Sequence, residues 1–140
     1  MTDLGRVRAA LQSADGVGGV LDASWDAFDL LVTECQRDHD QPPGYLAWYA
    51  FAAVAAAQGR TVVSGAPSLP VTRRMPLPAR TPGLPSASPE MAGTLAGLAG
   101  LLDERLTDAA GLAGDDRDQA ACAHAALQAA VVCKLLSGDP

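Results

Sequence analysis

Apolar residues recur every three or four positions at the start of the chain, which is the spacing of helices with one buried side. The first predicted helix begins near Thr2 or Asp3 and ends at Asp15-Gly16. Glycines at 16, 18 and 19 predict a turn. A second helix is expected from about Asp22 to the polar run at 36–41, with a clear apolar stripe: Leu21, Trp25, Phe28, Leu31, Val32 and Cys35.

The third predicted helix has no polar side. Pro42-Pro43 suits its first turn, where the missing proline N–H costs nothing, and the helix is expected from Gly44 to Gln58 with Gly59 as its C-terminal cap. A helix that is apolar all round is normally buried in the middle of its domain. We therefore expect the segment from Tyr45 to Ala57 to be the central helix, around which the others pack.

An irregular connection is expected at 59–88, because six prolines in that range are incompatible with a continuous helix. At roughly 30 residues it is far longer than the usual link between packed helices, so it predicts a crossover, a functional segment or a mobile one.

Two more helices follow this connection. Ser88-Pro89-Glu90 is typical of a helix start, and this helix is expected to run to about Leu112. Asp115 or Asp116 is expected to cap a last helix reaching Leu136. The sequence therefore predicts a single all-α domain over 1–140: a four- to five-helix bundle with one long Pro/Arg-rich crossover between the third and fourth helices.

The chain is acidic, and its charge is unevenly distributed. The formal net charge is −6, made up of −5 over residues 1–40, +4 over 41–89 and −5 over 90–140. A net negative charge disfavours nucleic-acid binding, which needs a cationic surface. The longest apolar run, Tyr45 to Ala57, is too short for a bilayer, so no membrane span is expected. Three cysteines without CxxC spacing indicate reduced thiols and a cytoplasmic protein.

All six aromatic residues of this aromatic-poor chain fall between positions 25 and 51. They are expected mainly to fill the core. The alternative is a ligand pocket between helices, for which the candidates are Trp25, Phe28, Tyr45, Trp48 and Tyr49. On helical geometry Phe51 points away from this group.

The connection carries three clustered arginines, Arg73, Arg74 and Arg80. One interpretation is a solvated linker that folds back on the acidic helices. The sharper one is a proline-rich strip that binds a partner or an anion through these arginines.

No catalytic or metal-binding signature is found. Glu34, Asp38, His39 and Asp40 are expected to form a solvated helix end, since no set of ligands converges there. His124 and Cys122 are two residues apart, so they point in nearly opposite directions on a helix and do not form a catalytic pair. His124 instead shares the polar stripe of its helix with Arg117 and Gln128, and we expect it at the surface. No metal and no cofactor are expected.

These observations lead to two functional hypotheses. The first is a small non-catalytic interaction or accessory protein, a homodimer in one version, because Gly93, Gly97 and Gly100 and the alanine-rich last helix allow close packing. The second is a helical bundle that binds a small apolar or aromatic molecule in an aromatic pocket.

Overall fold

The computed structural model describes residues 3–36, 43–69 and 89–137, and every long element in them is an α-helix. The five helices are α1 (Asp3–Ser13), α2 (Gly16–Gln36), α3 (Pro43–Ser64), α4 (Pro89–Leu112) and α5 (Asp116–Ser137). The all-α bundle predicted from the sequence is confirmed. The crossover between α3 and α4 stays a prediction, because residues 70–88 lie outside the described part of the chain.

The four long helices form a ring in the order α2, α3, α5, α4. Each packs against its two neighbours in that order, while α2 and α5, like α3 and α4, lie across the diagonals. The short helix α1 packs on the outside against α2 and α4. One side of the ring is therefore covered by α1, and the α3–α5 side is the opposite one.

Leucine and alanine fill the interior of the ring. Four leucines that repeat every three or four residues along α4 are fully buried: Leu95, Leu98, Leu102 and Leu106. Buried alanines of α3 and α5 (Ala52, Ala56, Ala125 and Ala129) let these backbones come close to their neighbours.

The turn between α1 and α2 is shorter than predicted. Gly16 has a φ of +74°, a left-handed conformation that only glycine adopts without strain, and α2 begins at this residue rather than near Asp22. Gly18 lies inside the helix, and the backbone of the segment after α3 passes close to it. A Cβ at Gly18 would be 3.2 Å from the carbonyl oxygen of Ser68.

The predicted end of α3 at Gly59 is wrong, since the helix continues to Ser64. Gly59 is a packing position in mid-helix. A Cβ there would lie 2.6 Å from Cζ and 2.8 Å from Cδ1 of Phe28, whose ring is fully buried. The glycine makes room for the largest side chain at the α2–α3 contact.

The expectation that α3 is the central helix is also wrong. It is one wall of the ring, with one side in the core and one side facing solvent. Apolar character all round the helix therefore leaves large hydrophobic side chains exposed on its outer side.

Side chains cap two helix ends. Asp115 Oδ1 accepts hydrogen bonds from the backbone N–H groups of Arg117 (2.7 Å) and Asp118 (3.3 Å), which makes Asp115 the N-cap of α5 as expected. At the C-terminus of α1, the Arg105 guanidinium of α4 donates to the carbonyl oxygens of Leu11 (3.2 Å) and Ala14. Arg105 thus fixes α1 to the rest of the bundle.

Substitution of Gly59 tests the contact that positions α3. Alanine raises helix propensity, but at Gly59 its methyl group must displace the Phe28 ring, so we expect Gly59→Ala to lower the free energy of unfolding by about 1–3 kcal/mol. Gly93 of α4 is the matched control, because it is exposed and nothing lies within 4 Å of a Cβ built there. Gly93→Ala is expected to stabilise by about 0.5–1 kcal/mol in the same urea titration. A stabilised Gly59→Ala variant would contradict the packing role.

Candidate functional site

The aromatic residues proposed for a pocket do not share one environment. Phe28 and Tyr49 are buried in the core, Trp25 is partly buried, and Trp48 lies on the outside with 44% of its surface exposed. The side chain of Tyr45 lies outside the described part of the structure.

Trp25 takes part in a polar contact between α2 and α3. Its indole N–H donates to Ser64 Oγ at 2.9 Å. The Arg60 guanidinium lies 6.0 Å from the centre of the Trp25 ring, and its Nη1 pairs with Asp29 Oδ1 at 2.7 Å. Together with Phe28 against Gly59, these contacts fix the rotation of α3 about its own axis.

That rotation turns an apolar stripe of α3 to the solvent. Phe51 is 61% exposed and Val54 57%, and Trp48 precedes them on the same side of the helix. Phe51 was not among the residues singled out from the sequence. The expectation that Phe51 points away from the whole group holds for the buried Phe28 and Tyr49 and is wrong for Trp48, which shares its exposed side.

The neighbouring helix α5 exposes a second apolar stripe. Leu127 is 66% exposed and Val131 45%. Residues 48–59 of α3 and 119–133 of α5 contain no Asp, Glu, Lys or Arg. Because α3 and α5 pack side by side, we treat these five side chains as one surface, called here the α3/α5 face: Trp48, Phe51, Val54, Leu127 and Val131.

A groove of about 440 Å³ runs along the C-terminal half of α3 at the edge of this face. Alanine and valine side chains of α3, among them Ala57, form its apolar part. The polar side chains that line it come from three helices: Gln36, Gln58, Thr61 and His124. Trp25, Phe28, Trp48 and Tyr49 are not among the described residues that line this groove. His124 is exposed, as predicted, and lies 3.5 Å from the Gln128 side-chain nitrogen.

Asp118 anchors the segment that follows α3. It is one of the buried acidic residues, and its carboxylate accepts hydrogen bonds from the backbone N–H of Ser68 (3.0 Å) and from the Ser68 hydroxyl. This contact fastens the chain beyond α3 to the first turn of α5. The contact is structural, because the donor Ser68 and the acceptor Asp118 belong to the same chain.

The remaining candidates do not form a site in the described residues. Arg73, Arg74 and Arg80 lie outside them, as do Asp38, His39 and Asp40. Glu34 is buried rather than part of a solvated helix end. Within 3–36, 43–69 and 89–137, no three His, Cys, Asp or Glu side chains are grouped so that they could hold a metal ion.

Helix α5 is, among the described helices, the one long and apolar enough by length and composition to cross a bilayer. Core helices of soluble proteins meet the same criterion. In the structure α5 packs between α3 and α4.

Comparison of the chain with protein-family models, with curated proteins and with solved structures gave no match. Function must therefore be argued from the α3/α5 face and the groove themselves.

Two of the three free thiols are buried and hard to ionise. Burial, and secondarily the charge of Glu34, raises the pKa of Cys35 to about 12. Burial, and secondarily Asp118, raises the pKa of Cys122 to about 11. Neither thiol is an activated nucleophile, since reactivity requires the thiolate.

These pKa values predict a loss of stability at high pH. An unfolded cysteine loses its proton near pH 9, whereas folded Cys35 keeps it to about pH 12. Unfolding therefore releases a proton between these values, and the free energy of unfolding falls as pH rises from 9, by up to about 1.4 kcal/mol per pH unit for each such thiol. In urea titrations at pH 8, 9 and 10, Cys35→Ala should show a shallower fall than the unsubstituted chain. Parallel curves would contradict the raised pKa.

Proposed function

We propose that this chain is a small non-catalytic interaction protein that binds another polypeptide through the α3/α5 face. The observation that carries the proposal is the exposure of Trp48, Phe51, Val54, Leu127 and Val131 on two adjacent helices. With ordinary side-chain areas, their exposed parts add up to roughly 500 Å², which is in the upper range for the largest apolar patch of a monomer.

The composition of the face favours a protein partner. Cores of protein interfaces are rich in aromatic residues and depleted of charged ones. The α3/α5 face has both properties, with Trp48 and Phe51 as aromatic anchors and no formal charge over 48–59 and 119–133. Helices that lie on membranes carry many Lys and Arg on their polar side, and these two stretches carry none.

Site-specific photo-crosslinking in the native cells tests this proposal. A benzophenone amino acid in place of Phe51 should form adducts with a polypeptide, identified by mass spectrometry. The same group at Leu112, which is 75% exposed at the end of α4, should not form them. Adducts from position 51 should disappear when Leu127→Asp places a charge elsewhere on the same face. Equal labelling from positions 51 and 112, lipid adducts or no adducts would contradict a protein-binding role.

A second candidate function rests on the groove. Its volume of about 440 Å³ and its apolar part with polar groups around it suit a small apolar molecule. This is the small-molecule hypothesis, moved from the aromatic cluster to the outer side of α3.

Filling the groove from within the chain tests the ligand site. Ala57 is partly exposed and lines the groove, so Ala57→Phe should occupy it with little cost to the core. If the groove is a ligand site, Ala57→Phe should weaken the binding of 1-anilinonaphthalene-8-sulfonate at least tenfold, whereas Leu127→Asp should leave it unchanged. Dye fluorescence that is insensitive to Ala57→Phe would contradict the ligand site.

A further inference from the structure

Two opposite sides of the ring differ in whether another helix covers them. On one side, α1 covers the seam between α2 and α4 and buries Val7 and Leu11 there. On the other side, none of the described residues covers the seam between α3 and α5, and Phe51 and Leu127 remain more than 60% exposed. Among the described residues, the seam between α3 and α5 therefore has no covering helix, whereas α1 covers the seam between α2 and α4.

The middle of this seam carries no formal charge, and the exposed charges of α5 lie at its two ends: Asp116 and Arg117 in the first turn and Lys134 in the last. Six acidic residues of α2 and α4 are at least partly exposed: Asp22, Asp26, Asp29, Asp103, Glu104 and Asp108. A strongly charged partner would find no opposite charge on the α3/α5 face. A second copy of the same chain would place its own uncharged stretches, 48–59 and 119–133, against these, with the acidic residues of α2 and α4 of both copies away from the contact.

The face has a protruding end and a recessed end. Trp48 and Phe51 stand out from the N-terminal half of α3, and the groove occupies its C-terminal half. A two-fold rotation about an axis near the middle of α3 places the aromatic end of one copy on the groove end of the other, and does so twice. This is the isologous geometry of most protein dimers.

The available area fits such a dimer. A standard interface buries about 800 Å² on each partner. The five exposed side chains supply roughly 500 Å² of it before the groove and the alanines around it are included.

We propose that the chain forms a homodimer through the α3/α5 face, in which Phe51 of each copy enters the groove of the other. This inference rests on the proposed function and names its partner: a second copy of this chain. It also accounts for a helix that is apolar on every side, because in the dimer α3 is covered on both its inner and its outer side.

Sedimentation equilibrium of the purified 140-residue chain at several concentrations tests the dimer. The unsubstituted chain should have twice the 14.3 kDa mass of one chain. Phe51→Asp and Leu127→Asp should each have the mass of one chain. Leu112→Asp, which places the same charge on an exposed leucine outside the face, should remain dimeric. Unchanged helical circular dichroism in the two face variants shows that they are folded.

A further variant tests the groove as the binding site for Phe51. Ala57→Phe adds no charge and fills the groove, so it should raise the dissociation constant of the dimer at least tenfold. An unchanged dissociation constant would overturn the proposed arrangement of the two copies.

The two proposals can fail separately. A monomer at every concentration, or a dimer that persists in both Phe51→Asp and Leu127→Asp, would overturn the homodimer. If the photo-crosslinks from position 51 then lead to a different polypeptide, the proposed function stands with another partner. If they lead to none, the proposed function is wrong as well.

Discussion

The contact between Phe28 and Gly59 sets the orientation of α3, and the surface chemistry of the protein depends on that orientation. A buried ring fills the space where a Cβ would stand, so α3 can pack against α2 in only one rotation. The pair Arg60–Asp29 and the hydrogen bond from Trp25 to Ser64 hold the same rotation further along the helix. Phe51 and Val54 are then necessarily on the solvent side.

Most of the fold could be predicted from local signals. The start of α4 at Pro89 and the cap of α5 at Asp115 depend on residues within one turn of the helix end, and both were predicted correctly. The buried leucines of α4 follow from their spacing alone. Residues close together in the chain determine these features, so they can be predicted from the sequence.

The errors arose where distant residues decide the outcome. Gly59 looks like a cap until Phe28, 31 positions earlier in the chain, is placed against it. Helix α3 looks central because it has no polar side, and periodicity cannot show which side of such a helix a single chain leaves exposed. Phe51 and Leu127 become parts of one candidate surface only when α3 and α5 are known to be neighbours.

The buried alanines have a consequence for how the sequence can diverge. At Ala52, Ala56, Ala125 and Ala129 the side chains are fully buried between packed helices, so a larger residue would force the helices apart. Leucines of the core can exchange with other residues of similar volume at modest cost. Homologous chains should therefore keep small residues at these four positions while their leucines vary, and that spacing of small residues is the feature by which distant relatives of this bundle would be recognised.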